Sequence, residues 1–488
     1  MRRYNRRRFL QTGAAAGGSL WILAGTRASG KVLGANDRIR VAVAGINGRG
    51  QHHIREFAAM EGVEVACLVD PDTRLYESRS KQVAQRGGST PQCVPDIRTA
   101  LDDKNIDVVS VATCNHWHSL ITVWACQAGK DVYVEKPISH NVFEGRQCVK
   151  AAKKYGRVVQ HGTQQRSSRR QAREIAAVRS GKYGKLLVSK GYCCKPRWSI
   201  GRKPFSAPPS GFDFNVWLGP APRQKFHGNL HPYNWHWFWD FGNGDIGNQG
   251  VHEMDVARWA IDGATLPDQV WSMGGRYTPD GADNGQTPNM LLTVMRFGDV
   301  ILLFETRGLV GRKKPPTPPR KVANEFYTTE GVIKSGKFYP HSGGDPVPVE
   351  GDATVTPGGP FGSFIECVRR QDPSAVNCDA EVAHYSSSLC HLGNISYRLG
   401  ESAPLNKRPA MLSGDRYVLE SYQMLMENLE AAYGMMTDQP DRLLAEMSCT
   451  VGKPLQFDAK TERFVGDDAA NQLLSRPYRP PFVVPETV

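Results

Sequence analysis

From residue 38 the chain alternates short β-branched apolar runs with longer stretches of helical period. IRVAVAG at 39–45 is too short for a helix and reads as a strand. The segment after it takes helical spacing from about Gln51, and VEVACLV at 63–69 is a second strand that ends at Asp70. Further strands are predicted at 108–112, 131–134 and 158–160, with helices at 119–128 and 142–155 between them. Strand and helix in alternation predict an α/β domain with a parallel, doubly wound sheet.

Past residue 162 the texture becomes aromatic and loop-rich. Strands at 186–192, 269–276, 290–297 and 300–305 follow one another without a helix between each pair. That pattern predicts an antiparallel sheet and an α+β second domain. A helix is expected at 380–398 and another at 416–433, and no internal repeat is visible. The resulting division is 1–35 as leader and linker, 36–162 as the α/β domain, 163–400 as the α+β domain and 401–488 as an extension packing on both.

Composition changes this picture little. The 488 residues are 40% hydrophobic and 22% charged, which describes a loop-rich globular protein. Six arginines within the first 28 residues, where there is no acid, account for nearly half of the formal net charge of +13. The remaining basic runs, at 166–173 and in the proline-interleaved RKKPPTPPRK at 312–321, read as solvated loops, so no nucleic-acid partner is expected. The 11 cysteines contain no CxxC pair and are expected to be buried thiols. NRRRFLQ at 5–11 precedes an uncharged small-residue stretch at 12–24. Arg6, Arg7, Phe9 and Leu10 fit a twin-arginine export signal, and the apolar stretch is shorter than the ~20 residues of a membrane-spanning helix. A periplasmic or secreted location without a stable membrane anchor is expected.

The first strand leads into Gly45, Gly48 and Gly50, spaced GxxGxG, with Asn47 and Arg49 in the same turn. A turn between strand and helix can present amide groups to a pyrophosphate, and Asp70, 20 residues past Gly50, can accept hydrogen bonds from both ribose hydroxyls. The acid would repel a 2′-phosphate, so NAD is preferred over NADP. Arg74 is the nearby residue that could neutralise such a phosphate, and a purely structural turn is the alternative.

Three further stretches carry a resemblance: VATCNHWH (Val111 to His118), VEKPISHN (Val134 to Asn141) and GDIGNQGVHEMDVARW (Gly244 to Trp259). With GTQQR at 162–166 and WLGPAP at 217–222, they make residues 38–400 resemble the Gfo/Idh/MocA family, in an exported branch. The resemblance implies a Rossmann domain, an open and mainly antiparallel sheet domain that often builds a homo-oligomer, and an NAD(P)-dependent oxidoreductase acting on sugars or polyols. It places Lys136 between nicotinamide and substrate, gives Glu135 and Pro137 the shaping of that turn, with a cis bond possible before Pro137, and puts Thr113, Asn115 and His118 on the nicotinamide side. Capping of a helix by Asn115 is compatible with that role. Gln164 and Arg166 fall on the substrate side.

The family's DxxxH pattern reads Asn248 to His252 here, so the histidine is kept and the acid is an amide, which can hold a substrate hydroxyl but cannot take its proton. Lys136 and His252 remain as candidate bases, and Asp245 could substitute for the acid only in a favourable loop. HEMD lacks the second histidine of HExxH, so no metal is expected and Asp255 should pair locally. Trp235, Trp237 and Trp239 alternate within HPYNWHWFWDF at 231–241. They suit either a carbohydrate platform or a core strand. Three functions are therefore open: a dehydrogenase of a carbohydrate or polyol carbinol, a glycosidase working by transient oxidation, elimination and re-reduction, and a carbohydrate-binding protein without catalysis.

Overall fold

The computed structural model describes residues 38–314, 316–405, 412, 414–434 and 446–488; the expected export signal lies outside the described residues. β1 (Ile39–Ala44), β2 (Val63–Val69), β3 (Gln92–Val94), β4 (Val108–Val111), β5 (Asp131–Val134) and β6 (Val159–His161) form one parallel sheet in the order β3-β2-β1-β4-β5-β6. The strands read as continuous apolar runs because both faces are buried. Val41 and Val43 face α1 (Gly48–Ala58), while Ala42 and Ala44 face the side covered by α2 (Asn115–Gln127) and α3 (Val142–Tyr155). The strand order reverses between β1 and β4, and a crevice opens there at the carboxyl ends of the strands.

The second sheet runs β14-β13-β12-β11-β7-β10-β9-β8-β16-β15. Its members are β7 (Leu186–Cys194), β8 (Gln269–Gly275), β9 (Met290–Phe297), β10 (Val300–Arg307), β11 (Lys321–Thr328), β12 (Gly331–Lys334), β13 (Lys337–Pro340), β14 (Val347–Pro348), β15 (Glu401–Pro404) and β16 (Ser448–Val451), with β17 (Leu455–Asp458) pairing β8 off this path and β18 (Arg463–Phe464) pairing β17. It is mostly antiparallel as expected, but β7 and β10 pair in parallel. The chain between them crosses one face through α4 (Gly244–Asn248) and α5 (Gly250–Ala260), whose Val251, Met254 and Ala257 pack on Cys193, Leu302 and Phe304.

Two features depart from the sequence expectation. Helix α6 (Gly359–Arg370), inside the 163–400 segment, returns to the first sheet and packs Phe361, Phe364 and Ile365 against Ile39, Val41 and Tyr133. Over β8–β10 the second sheet is also covered on one face. After α7 (Ala380–Arg398), which lies against α3, comes α8 (Arg416–Gly434). Its Tyr422, Leu425 and Leu429 bury Trp271, Met273, Leu292 and Leu303 on the face away from α5.

Residues 476–488 strap the segment 215–240 to the core of the first domain. Arg476 donates to the carbonyls of Asp240 (3.0 Å) and His116 (3.4 Å), and Arg479 to those of Gly219 (2.9 Å) and Asn215 (2.7 Å). Phe482 sets its edge on Trp117 at 5.3 Å, with Val484 and Val488 in the same core cluster.

Candidate active site

The crevice is a cleft of about 470 Å³ bounded by the β1–α1 turn, the end of β5, the start of α5 and the aromatic segment 231–236. Gly45 and Gly50 are demanded by the turn itself. Gly45 has φ +79°, and a Cβ on Gly50 would fall 1.8 Å from the Gly45 carbonyl oxygen. Gly48 differs, since a Cβ there would meet nothing within 4 Å. Asn47 makes no side-chain cap to α1, and the first turn of that helix holds no acid. Its leading amides and positive dipole end are therefore available to an anion entering the space beside Gly48, which is what a dinucleotide pyrophosphate requires.

Asp70 lies on the same wall and accepts the amides of Ile46 and Asp72, each at 2.9 Å. Burial pushes its carboxyl up to about 6, so it is mainly ionised at neutral pH. Arg74, the residue that could have answered a 2′-phosphate, is paired with Asp72 at 2.6 Å. This arrangement fits NAD.

Glu135 and Lys136 leave β5 on the cleft floor, and the Lys136–Pro137 bond is cis. Glu135 accepts from Arg49 at 2.7 Å and bonds His53 at 3.1 Å, with the Gln164 amide at 3.4 Å. Burial opposes its ionisation, but the His53 hydrogen bond and the Arg49 charge outweigh it and hold the carboxyl well below the usual range. Arg49 is thus engaged with Glu135, although it still lines the cleft. His53 escaped the sequence reading. Its other ring nitrogen meets Ser110 Oγ at 2.7 Å, and one histidine inside a helix carries no local sign of that pairing.

Lys136 Nζ donates to the Asn248 carbonyl and lies 3.5 Å from Asn248 Oδ1. Burial lowers its pKa, against the pull of Glu135 and Asp245. His252 faces the same space from α5, and burial reinforced by the Lys136 charge drops it to about 3, so its ring is neutral. Asp245 does not replace the missing acid, because Arg197 holds it at 2.7 Å. Thr113, Asn115 and His118 line the cleft. The His118 ring lies between the carbonyls of Pro137 (2.6 Å) and Thr113 (3.0 Å), tying the Lys136 turn to the end of β4. Asn115 is the first residue of α2 and donates to Asn243 Oδ1 at 3.3 Å, while the cap position is Cys114.

Two residues assigned to the substrate side lie elsewhere. Arg166 is buried in an ion pair with Asp255, Nη2 to Oδ1 at 2.9 Å, and does not line the cleft. The aromatic segment is not a strand, since Asn234–Trp237 is a 3₁₀ turn. That turn aims Trp235, stacked on His236 at 3.6 Å, into the cleft and places Trp237 beneath the Arg197 guanidinium outside it. Tyr233, Trp217, Lys195 and Arg197 line the cleft without having been singled out from sequence. Among the described residues no group of three or more His, Cys, Asp or Glu is placed to hold a metal, and no helix is long and apolar enough to cross a membrane.

Residues 39–163 match the model of an oxidoreductase family, described as its NAD-binding Rossmann fold, and residues 181–271 match the C-terminal alpha/beta domain of the same Gfo/Idh/MocA family. A glycosyl hydrolase family 109 protein of Shewanella pealeana is 27% identical over 216 residues, 40% of this chain and 47% of that protein. A second such protein from another Shewanella strain is 27% identical over 43% of this chain and 45% of its own length. The chain thus matches about half the length of these curated relatives. Among solved structures, the WlbA dehydrogenase from Bordetella pertussis, in complex with NADH and UDP-GlcNAcA, superposes with a TM-score of 0.53 at 15% identity, over 73% of this chain and 96% of its own. Aldose-aldose oxidoreductase from Caulobacter crescentus does so at 0.53 and 17%, over 73% and 97%. At these identities the likeness is one of fold.

Proposed function

Since the chain belongs to the Gfo/Idh/MocA oxidoreductase family, with its NAD-binding Rossmann domain, we propose that it oxidises a carbinol carbon of a sugar, polyol or glycoside. The observation that carries this reading is the meeting of Lys136 and His252, one from each domain, beside an uncapped helix start and Asp70 in one cleft. Bound NAD supplies the hydride acceptor. Lys136 takes the hydroxyl proton: burial lowers its affinity for its own proton, and the Asn248 carbonyl fixes the amine in place. Neutral His252 donates its ring N–H to the hydroxyl oxygen and orients it, and Trp235 offers an aromatic face to the sugar's C–H bonds. Gln164, tied to Glu135, lies within the same wall.

The glycosidase variant is favoured by the family 109 name of the curated relatives. It uses the same first step, after which the aglycone is eliminated, water adds and the ring is reduced again. Both variants suit a cofactor that stays bound in a protein exported by the twin-arginine route, where free NAD is scarce. The test is single-turnover nicotinamide reduction, read together with aglycone release, over a panel of sugars, polyols and aryl glycosides. Oxidation without release identifies a dehydrogenase, and release with no net oxidation a glycosidase. Neither signal from any member of the panel overturns the proposal.

A further inference from the structure

A second cavity, of about 340 Å³, opens beside the catalytic cleft and shares Lys195 and Arg197 with it. Pro196, Arg320, Lys321 and Val322 complete its wall, giving four cations in six residues and no carboxylate. Two of those charges are already answered, Arg197 by Asp245 at 2.7 Å and Lys321 by Glu325 at 3.9 Å. The other two are not. Lys195 donates only to the neutral side chain of Gln249, and Arg320 is exposed with no carboxylate within ion-pair distance among the described residues. Gln249 is itself tied at 3.0 Å to Glu253, which burial raises to about 8, so that carboxyl is mostly uncharged near neutrality and leaves Lys195 unanswered.

Polarity in the combined space is therefore divided. Carboxylates Asp70 and Glu135 sit on the cofactor side, and unpaired cations sit on the far side. Neutral sugar hydroxyls do not call for two cations, whereas a planar guanidinium and an ammonium flanking one groove match an oxyanion. We propose that this groove is a subsite for an anionic group, a carboxylate or a sulfate ester, carried by the substrate beyond the carbon that is oxidised. The proposal rests on the function proposed above and names the class of carbohydrate, an acidic glycoside.

The test compares the NAD-loaded full chain and its Arg320→Gln variant on three matched ligands: a neutral glycoside, its uronide and its 6-sulfate. Affinity is measured by calorimetry and turnover by steady-state kinetics. At least one anionic ligand should bind more tightly than the neutral one, with a preference that fades at high salt. Arg320→Gln should weaken that ligand about fivefold, in Kd and KM, without changing kcat or the neutral glycoside. Arg320→Lys should restore part of the loss. Which ligand responds tells a carboxylate from a sulfate site. Equal affinity for all three, or an equal effect of Arg320→Gln on neutral and anionic ligands, overturns the subsite. Salt-sensitive binding of an anionic ligand without turnover of any of the three supports the subsite and counts against the catalytic proposal alone.

Discussion

Lys136 and His252 differ in what they can do with a proton. The first is a buried amine held against a carbonyl, and the second an imidazole kept neutral down to about pH 3. Lys136→Met should retain bound NAD and lose turnover by about 100- to 10,000-fold, and His252→Ala should lose less. Single-turnover nicotinamide reduction across pH, with NAD content measured after denaturation, checks both; full activity in Lys136→Met refutes the division of roles. Glu253, buried behind the cleft, makes a pH-dependent contribution to stability. Its folded pKa of about 8 lies above the ordinary 4.5, so the folded chain keeps a proton that the unfolded chain has released. Its contribution to stability is therefore fully present below about pH 4.5 and is lost as pH rises towards 8. Glu253→Gln removes that titration and should be more stable than the parent at pH 8 by on the order of 3 kcal/mol, with the difference gone at pH 4, as urea unfolding at the two pH values will show. Lys136, His252 and Asp70 were legible because each sits in a short motif at the end of a strand or the start of a helix. Arg166 was not, since the partner that takes it out of the cleft lies 89 residues away, and the Arg49–Glu135 pair spans 86.

Among the elements, α1 separates folding from ligand binding. Gly50→Ala would drive a methyl into the Gly45 carbonyl and break the turn, whereas Gly48→Ala meets only open space. Gly48→Ala should fold with unchanged or slightly raised stability, within about 1 kcal/mol of the parent, and yet bind NAD at least tenfold more weakly if the pyrophosphate fills that space. Thermal melting and NAD titration on one preparation measure the two effects, and unchanged affinity would remove the pyrophosphate from this position. The central strands of the first sheet were legible from their β-branched runs, but β3, three residues at an edge, carries too little pattern to be seen. Alternating tryptophans at 235, 237 and 239 mimic a strand, yet Trp235 packs into a local aromatic cluster with Phe212, Trp217 and Phe241, while Trp237 lies under Arg197 and Trp239 beside Tyr397 and Arg398. The parallel pairing of β7 with β10 is set by a crossover that no local period encodes.

For the whole molecule, the strap at 476–488 joins the wall of the cleft to the core of the first domain. A chain ending at Ser475 loses the Arg476 and Arg479 contacts to the carbonyls of His116, Asn215, Gly219 and Asp240, together with the buried Phe482 and Val484. It should unfold at least about 3 kcal/mol more easily and release NAD faster, because Trp117 and Trp217 of the cleft lose their support. Denaturant titration and the rate of cofactor release after dilution test this, and a truncated chain that keeps NAD as firmly as the parent would make the strap dispensable.

The strap also imposes an order in time. Arg476 clasps a carbonyl 360 residues earlier in the chain. At about 5 to 20 residues per second, a ribosome reaches Arg476 on the order of 20 to 70 seconds after making His116. During that interval the nascent Rossmann domain has its turn and its acid but an unsupported rim, so firm capture of the dinucleotide is expected only after residues 476–488 have been made.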